Sequence, residues 1–163
     1  MTESLYKKLA QKLDSLPNGF PPTKEGSEIR LLEYLFEVEE AEIANHLTKD
    51  LEDPAAIADR VGREKHEVRN LLKGMTKKGL ISAGRIEGGF GFGLLPFVVG
   101  IYEYQAPRFD KKMAELFEEY YQNGFAQSLH IKPQVHRVIP CLLYTSDAAD
   151  ESSRGGGGGG GGG

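Results

Sequence analysis

Residues 54–95 read Pro54-AAIADRVGREKHEVRNLLKGMTKKGLISAGRIEGGFGFGL-Leu95, and each part of this stretch carries its own local signal. Asp53-Pro54 supplies an N-cap followed by proline at the first helical position, a strong start signal. Ala55 to Val61 predicts a short helix, Gly62 a turn, and Glu64 to Lys78 a longer helix closed by Gly79. Two helices that cross steeply need a small residue where they touch and a glycine where the chain reverses. Ala58 and Gly62 hold those two positions, and Ile57, Val61, Val68, Leu71, Leu72 and Met75 supply a shared apolar core. Leu80 to Glu87 then reads as a strand and Gly88-Gly89 as a hairpin turn. On the return strand Phe90, Phe92 and Leu94 alternate with Gly91 and Gly93.

The order helix, tight turn, longer helix, Gly-Leu-Ile, hairpin resembles the winged-helix superfamily of bacterial regulators. One position departs from that pattern, because Arg63 stands where many members place an apolar residue. The expected fold class is mainly α with a small β-hairpin: a winged helix-turn-helix with flanking N- and C-terminal helices.

Outward from this unit, residues 1–53 predict N-terminal helices. Leu5, Leu9, Leu13 and Leu16 recur at helical spacing behind Thr2, the expected cap, and Pro17-Asn18-Gly19 stops the helix. A second helix is expected to start near Thr23 to Ser27, with Ile29, Leu32, Leu35 and Phe36 on one face. A third, Glu39 to Leu47, is expected to continue from it after a kink. Residues 96–140 predict a helical annex and the start of a further domain. Pro96 opens a buried helix or a strand through Tyr104. Asp110 caps an amphipathic helix with Met113, Leu116, Phe117, Tyr120 and Tyr121, and Val135 to Ile139 begins a strand.

Charge is unevenly spread. Residues 1–53 hold six basic and twelve acidic side chains, whereas residues 54–79 hold seven basic and three acidic, a local net of +4 inside a chain of net −4. Lys65, Arg69, Lys73 and Lys77 recur every four residues, a basic stripe along one helix. Such a stripe fits phosphates, with Asn70 near base edges and Arg63 beside it. The sites expected to meet DNA or a partner are therefore Arg63, Lys65, Arg69, Asn70, Lys73 and Lys77. Two features count against DNA. Glu64 and Glu67 occupy the first turn, where base-reading residues usually sit, and the hairpin tip Glu87-Gly88-Gly89-Phe90 offers no cation. The plainer account of the stripe is a solvated helix face. A homodimer, if formed, is expected to join through the 110–122 helix or the first helix.

Other chemistry is sparse. His46, His66, His130 and His136 lack the spacing of a metal site, and the Gly-rich run 88–93 matches no phosphate-binding loop. No catalytic residues and no cofactor-binding or metal ligands are expected, and no enzyme activity. The longest apolar run, Leu94 to Tyr102, is far short of the roughly 20 residues a membrane span needs. With no secretory signal at Met-Thr-Glu-Ser, the expected location is cytoplasmic.

The C-terminal stretch 141–163 is of a different kind. Cys141-Leu142-Leu143-Tyr144-Thr145-Ser146-Asp147-Ala148-Ala149-Asp150-Glu151 resembles the in-frame translation of a transposase-type sequencing adapter. The glycine run Gly155 to Gly163 matches a read that has passed the end of its insert. A flexible linker or an engineered scar is the alternative. Either way residues 141–163 are expected to be non-native and disordered, and the natural sequence to stop, in this chain, near Pro140.

Residues 1–140 as a whole resemble the N-terminal region of bacterial and archaeal four-iron–four-sulfur ferredoxin-type proteins. The resemblance lies in Leu16-Pro17-Asn18-Gly19-Phe20-Pro21-Pro22-Thr23, in Phe92-Gly93-Leu94-Leu95-Pro96-Phe97-Val98-Val99-Gly100-Ile101-Tyr102-Glu103, and in His136-Arg137-Val138-Ile139-Pro140. It implies a winged-helix front end to a redox protein whose 4Fe-4S clusters bind to a later Cys-rich segment. Residues 1–140 contain no cysteine, so no cluster ligand carries over. The implied partners are a redox partner protein or the chain's own missing C-terminal domain. The alternative function is a winged-helix DNA-binding transcription regulator.

Overall fold

The structure is a computed structural model that describes residues 1–126. The first helix, α1 (Thr2–Asp14), turns its leucines inward, with Leu9 and Leu13 fully buried. Its N-cap is Met1 rather than Thr2, and no side chain caps it. The stop falls where expected: Asn18 and Gly19 take left-handed φ angles of 72° and 70°. The Phe20–Pro22 stretch, outside any helix or strand, then leads to α2 (Ser27–Leu35). Thr23 organises that entry, its hydroxyl accepting from the Ser27 N–H at 2.9 Å and donating to Glu28 at 2.6 Å.

Extended Phe36 separates α2 from α3 (Val38–His46), so the two are distinct helices rather than one kinked helix. A capping box explains the break. The Glu37 carboxylate receives the backbone N–H of Glu40, and Glu40 Oε2 accepts from the Glu37 N–H at 3.0 Å.

Next come α4 (Pro54–Val61), α5 (Lys65–Lys77) and an antiparallel hairpin of β1 (Ile81–Ile86) and β2 (Gly89–Leu94). The register pairs Ile81 with Leu94, Ala83 with Phe92 and Arg85 with Phe90. Its two-residue turn is Glu87-Gly88, one position earlier than expected, with Gly88 at φ 90°. The element order and this register make the architecture a winged helix-turn-helix with flanking helices.

The glycines of β2 serve a neighbour. Residues 48–52 run along its outer edge: Glu52 and Phe92 exchange backbone hydrogen bonds at 3.0 and 2.9 Å, and the Leu94 N–H donates to Thr48 O at 2.7 Å. A Cβ at Gly93 would stand 2.7 Å from Asp50 O, and one at Gly91 3.1 Å from Leu51 Cβ. The alternation that sequence assigns to a hairpin therefore also makes room for a third backbone.

Beyond β2 the expected buried helix is only partly formed. Phe97–Ile101 is irregular at its centre, where Val98, Val99 and Gly100 leave helical angles. One helical turn, α6 (Tyr102–Gln105), follows, then a 3-10 turn and α7 (Lys111–Tyr120). Asp110 caps α7 as expected, accepting from the Met113 N–H at 2.7 Å. Helix α7 lays Met113, Leu116, Phe117 and Tyr120 against α2 and the Phe20–Phe97 ring pair. One continuous apolar core runs from Leu9 through Leu32, Ile57 and Leu72 to Phe117. The expected strand at Val135–Ile139 and the stretch 141–163 lie outside the described residues.

Candidate nucleic-acid interface

Helix α4 starts where Asp53 Oδ1 accepts from the Ala55 N–H at 2.7 Å, with Pro54 at the first helical position. It ends at Gly62, whose φ of 68° lies in the left-handed region that favours glycine. Helix α5 begins two residues on. Its N-cap is Glu64, whose Oε2 accepts from the His66 and Glu67 N–H groups at 2.7 and 3.0 Å. Ile57 and Ala58 on α4 meet Val68, Leu72 and Met75 on α5, all five fully buried. This packing fixes which side of α5 faces outward.

The C-terminal end of α5 is anchored from behind. Gly79 takes φ 74°, and a Cβ there would lie 2.5 Å from Tyr104 Cβ. Gln105, itself buried, donates from Nε2 to Lys78 O at 2.9 Å. The single turn α6 thus holds the junction between α5 and β1.

The outward face carries Lys65, Arg69, Asn70, Lys73 and Lys77, all exposed. Over twelve residues the stripe extends about 18 Å along the helix and drifts around it, because four residues exceed one turn. The seven cations of residues 54–79 divide into two sets. Arg60 forms a two-pronged pair with Glu52 and also donates to His46 O at 2.6 Å. Arg63 lies 3.4 Å from Glu42 and 3.9 Å from Glu67. Lys78 lies 2.8 Å from Glu40, which is buried. Lys65, Arg69, Lys73 and Lys77 have no carboxylate partner among the described residues. Arg63 therefore stands apart from the rest of the expected contact set: it is half-buried and held between α3 and α5.

The two first-turn carboxylates have local duties. Glu64 satisfies two otherwise orphaned helix N–H groups, and Glu67 faces the Arg63 guanidinium. Their charge is thereby partly spent before any ligand arrives.

Sequence inspection of the hairpin tip missed one cation. Arg85 is exposed on β1 directly across from Phe90, which is 58% exposed. Pairing the strands outward from Glu87-Gly88 would have found it, since the turn sets the register. Electrostatics beside the site also follow from pairing: the hydrogen bond from Arg60 holds the Glu52 carboxyl below its ordinary range.

Among the described residues no group of three or more His, Cys, Asp or Glu could hold a metal ion, and no helix is long and apolar enough to cross a membrane. No family model matches the chain, and comparison with curated proteins finds no match. Among solved structures, "S. aureus MepR bound to ethidium bromide" is similar at 20% identity, over 92% of this chain and 87% of that one, with a TM-score of 0.24. A likeness of that size adds nothing to the architecture, which stands on element order and register.

Proposed function

We propose that residues 54–95 bind duplex DNA as the winged helix-turn-helix of a transcription regulator, with α5 against the major groove. One observation carries the reading. Four exposed cations share the outward face of α5 without carboxylate partners among the described residues, while their three basic neighbours, Arg60, Arg63 and Lys78, are paired with Glu52, Glu42 and Glu40. Phosphate contacts of this kind position a protein on DNA without specifying sequence. With Asn70 offering an amide beside a stripe that is otherwise cationic, binding is expected to be weak and strongly salt-dependent. Fluorescence anisotropy with a duplex at about 50 mM salt tests this, because electrostatic attraction is strong there. Arg69→Ala should reduce the log–log salt slope by about one. A flat titration at that salt ends the reading.

A second reading, the front module of a 4Fe-4S ferredoxin-like electron-transfer protein, is favoured by a different observation. Two of the three stretches that carry the ferredoxin-type resemblance are far apart in sequence yet meet in the fold. Asn18 Nδ2 donates to Val98 O at 3.2 Å, and the Phe20 and Phe97 rings lie 4.4 Å apart. On this reading the module docks on a redox partner or on a following cluster domain. Sequencing the gene through and beyond the codon for Pro140 tests it: a C-x-x-C-x-x-C-x-x-x-C-P run downstream supports it, and its absence removes it.

A further inference from the structure

Helix α6 does more than hold the end of α5. Its Gln105 is only 2% exposed, and Nε2 donates to two backbone carbonyls, Lys78 O at 2.9 Å and Gly79 O at 3.5 Å. Carbonyls only accept, so the amide orientation is fixed and Oε1 is the end left over. That oxygen has no donor among the described residues. A buried acceptor without a donor is costly. Gln105 lines a cleft of about 490 Å³, within the size range of small-molecule sites, where a bound molecule can supply one.

Two opposite charges share this cleft without pairing. Glu33 belongs to α2, and Arg108 to the 3-10 turn before α7. A hydrogen bond from the Tyr34 hydroxyl to Asp110 Oδ2, at 2.6 Å, ties these two segments together. Yet neither Glu33 nor Arg108 forms an ion pair among the described residues. The other charges of the lining are already engaged. Lys78 lies 2.8 Å from Glu40 and 3.7 Å from Glu37, and Glu37 also caps α3. Glu33 is nevertheless felt inside the cleft: after burial, its charge does most to hold the Tyr6 hydroxyl above its ordinary pKa. Buried Leu35, Leu80 and Met113 give the same cleft an apolar wall.

We propose that this cleft binds a zwitterionic α-amino acid with an apolar side chain. Its ammonium group donates to Gln105 Oε1 and to the Glu33 carboxylate. Its carboxylate accepts from Arg108, whose forked guanidinium suits that geometry. The side chain lies against Leu35, Leu80 and Met113. A molecule with a single charge satisfies only one of the two unpaired groups. The proposal stands apart from DNA binding, and its test contains no DNA.

Calorimetric titration of the full chain with three probes of one skeleton separates these contributions. The probes are L-leucine, 3-methylbutylamine, which lacks the carboxylate, and 4-methylpentanoate, which lacks the amine. Leucine should bind saturably, and each of the others at least about tenfold more weakly, having lost one charged hydrogen-bonding group. Glu33→Gln should remove most of the margin over 4-methylpentanoate, and Arg108→Gln most of the margin over 3-methylbutylamine. Both side chains are exposed, so both variants should fold. L-methionine and L-phenylalanine, titrated alongside, cover other apolar side chains. No saturable binding by any of the three amino acids at millimolar concentration overturns the proposal. So does leucine binding no tighter than either single-charge probe, and so do margins that both variants leave unchanged.

Discussion

Residues 54–95 and residues 96–126 are held together by different means. The first region is built on backbone punctuation: a capping Asp53, a left-handed Gly62, a capping Glu64 and a left-handed Gly79. Between these marks, small and branched side chains fill the space where two helices cross. The second region is built on rings. Phe97, Phe109, Phe117 and Tyr120, with Phe20 reaching in from the N-terminal segment, form a chain of ring contacts with centroid distances of 4.4–5.8 Å. Punctuation is local and leaves its mark in sequence order. Ring packing is non-local and leaves little mark.

The contrast is most severely tested by core truncation. Phe97→Ala should cost about 3–5 kcal/mol and Leu72→Ala about 2–5 kcal/mol, since each leaves a cavity in a buried site. Urea unfolding measures both. If ring packing organises only the second region, Phe97→Ala should also loosen the 97–109 backbone to hydrogen exchange while α4 and α5 keep their protection. Equal loosening of both regions would erase the distinction drawn here.

A smaller effect is expected at the caps. Asp53→Ala should cost about 1 kcal/mol, because it orphans the Ala55 N–H at the head of α4. Glu64→Ala is expected to act in the same direction on α5, where two N–H groups lose their acceptor. Neither should disturb the 97–120 segment. Thermal melts check the cost, and an unchanged melting temperature in both variants would show that punctuation contributes little.

The smallest effect is a pH dependence. Glu52 is held below its ordinary value of 4.5 first by the hydrogen bond from Arg60. Asp110 is likewise lowered, first by the hydrogen bond from the Tyr34 hydroxyl. A carboxyl whose folded pKa lies below its unfolded value adds stability that is present at neutral pH. That stability is lost as pH falls through the ordinary carboxylate range towards the folded value. Acid unfolding monitored by circular dichroism should therefore begin below about pH 4.5, and Glu52→Gln should be less stable at neutral pH yet less acid-sensitive. Equal acid sensitivity in the variant would remove Glu52 from the account.

The same contrast explains what could be read in advance. Asp53-Pro54, Gly62, Gly79 and the Gly-Phe alternation placed α4, α5 and the hairpin to within a residue or two. They left open which cations were free, because Arg63 and Lys78 are neutralised by Glu42 and Glu40, residues more than twenty positions away. The 97–101 stretch was not legible. A run of Phe, Val, Val, Gly and Ile suits a buried helix or a strand equally well. Its actual path depends on Glu103 closing back on Val99 and on Asn18 reaching across from the first turn. The tight turn was displaced by one residue because either glycine of the Gly88-Gly89 pair could have led it, and only the pairing of Ile86 with Gly89 settles that.

The backbone laid along β2 has one further consequence. A strand reading Gly-Phe-Gly-Phe-Gly has a bare face and a weakly specified register, the properties that let strands recruit copies of themselves and aggregate. Here the outer edge of β2 is already engaged at Phe92 and Leu94 by Glu52 and Thr48, and Leu51 lies against the bare face at Gly91 and Gly84. The short connection before α4 thus acts as a guard rail. It closes an edge that would otherwise solicit another molecule, and it does so with backbone atoms that side-chain substitution cannot easily remove.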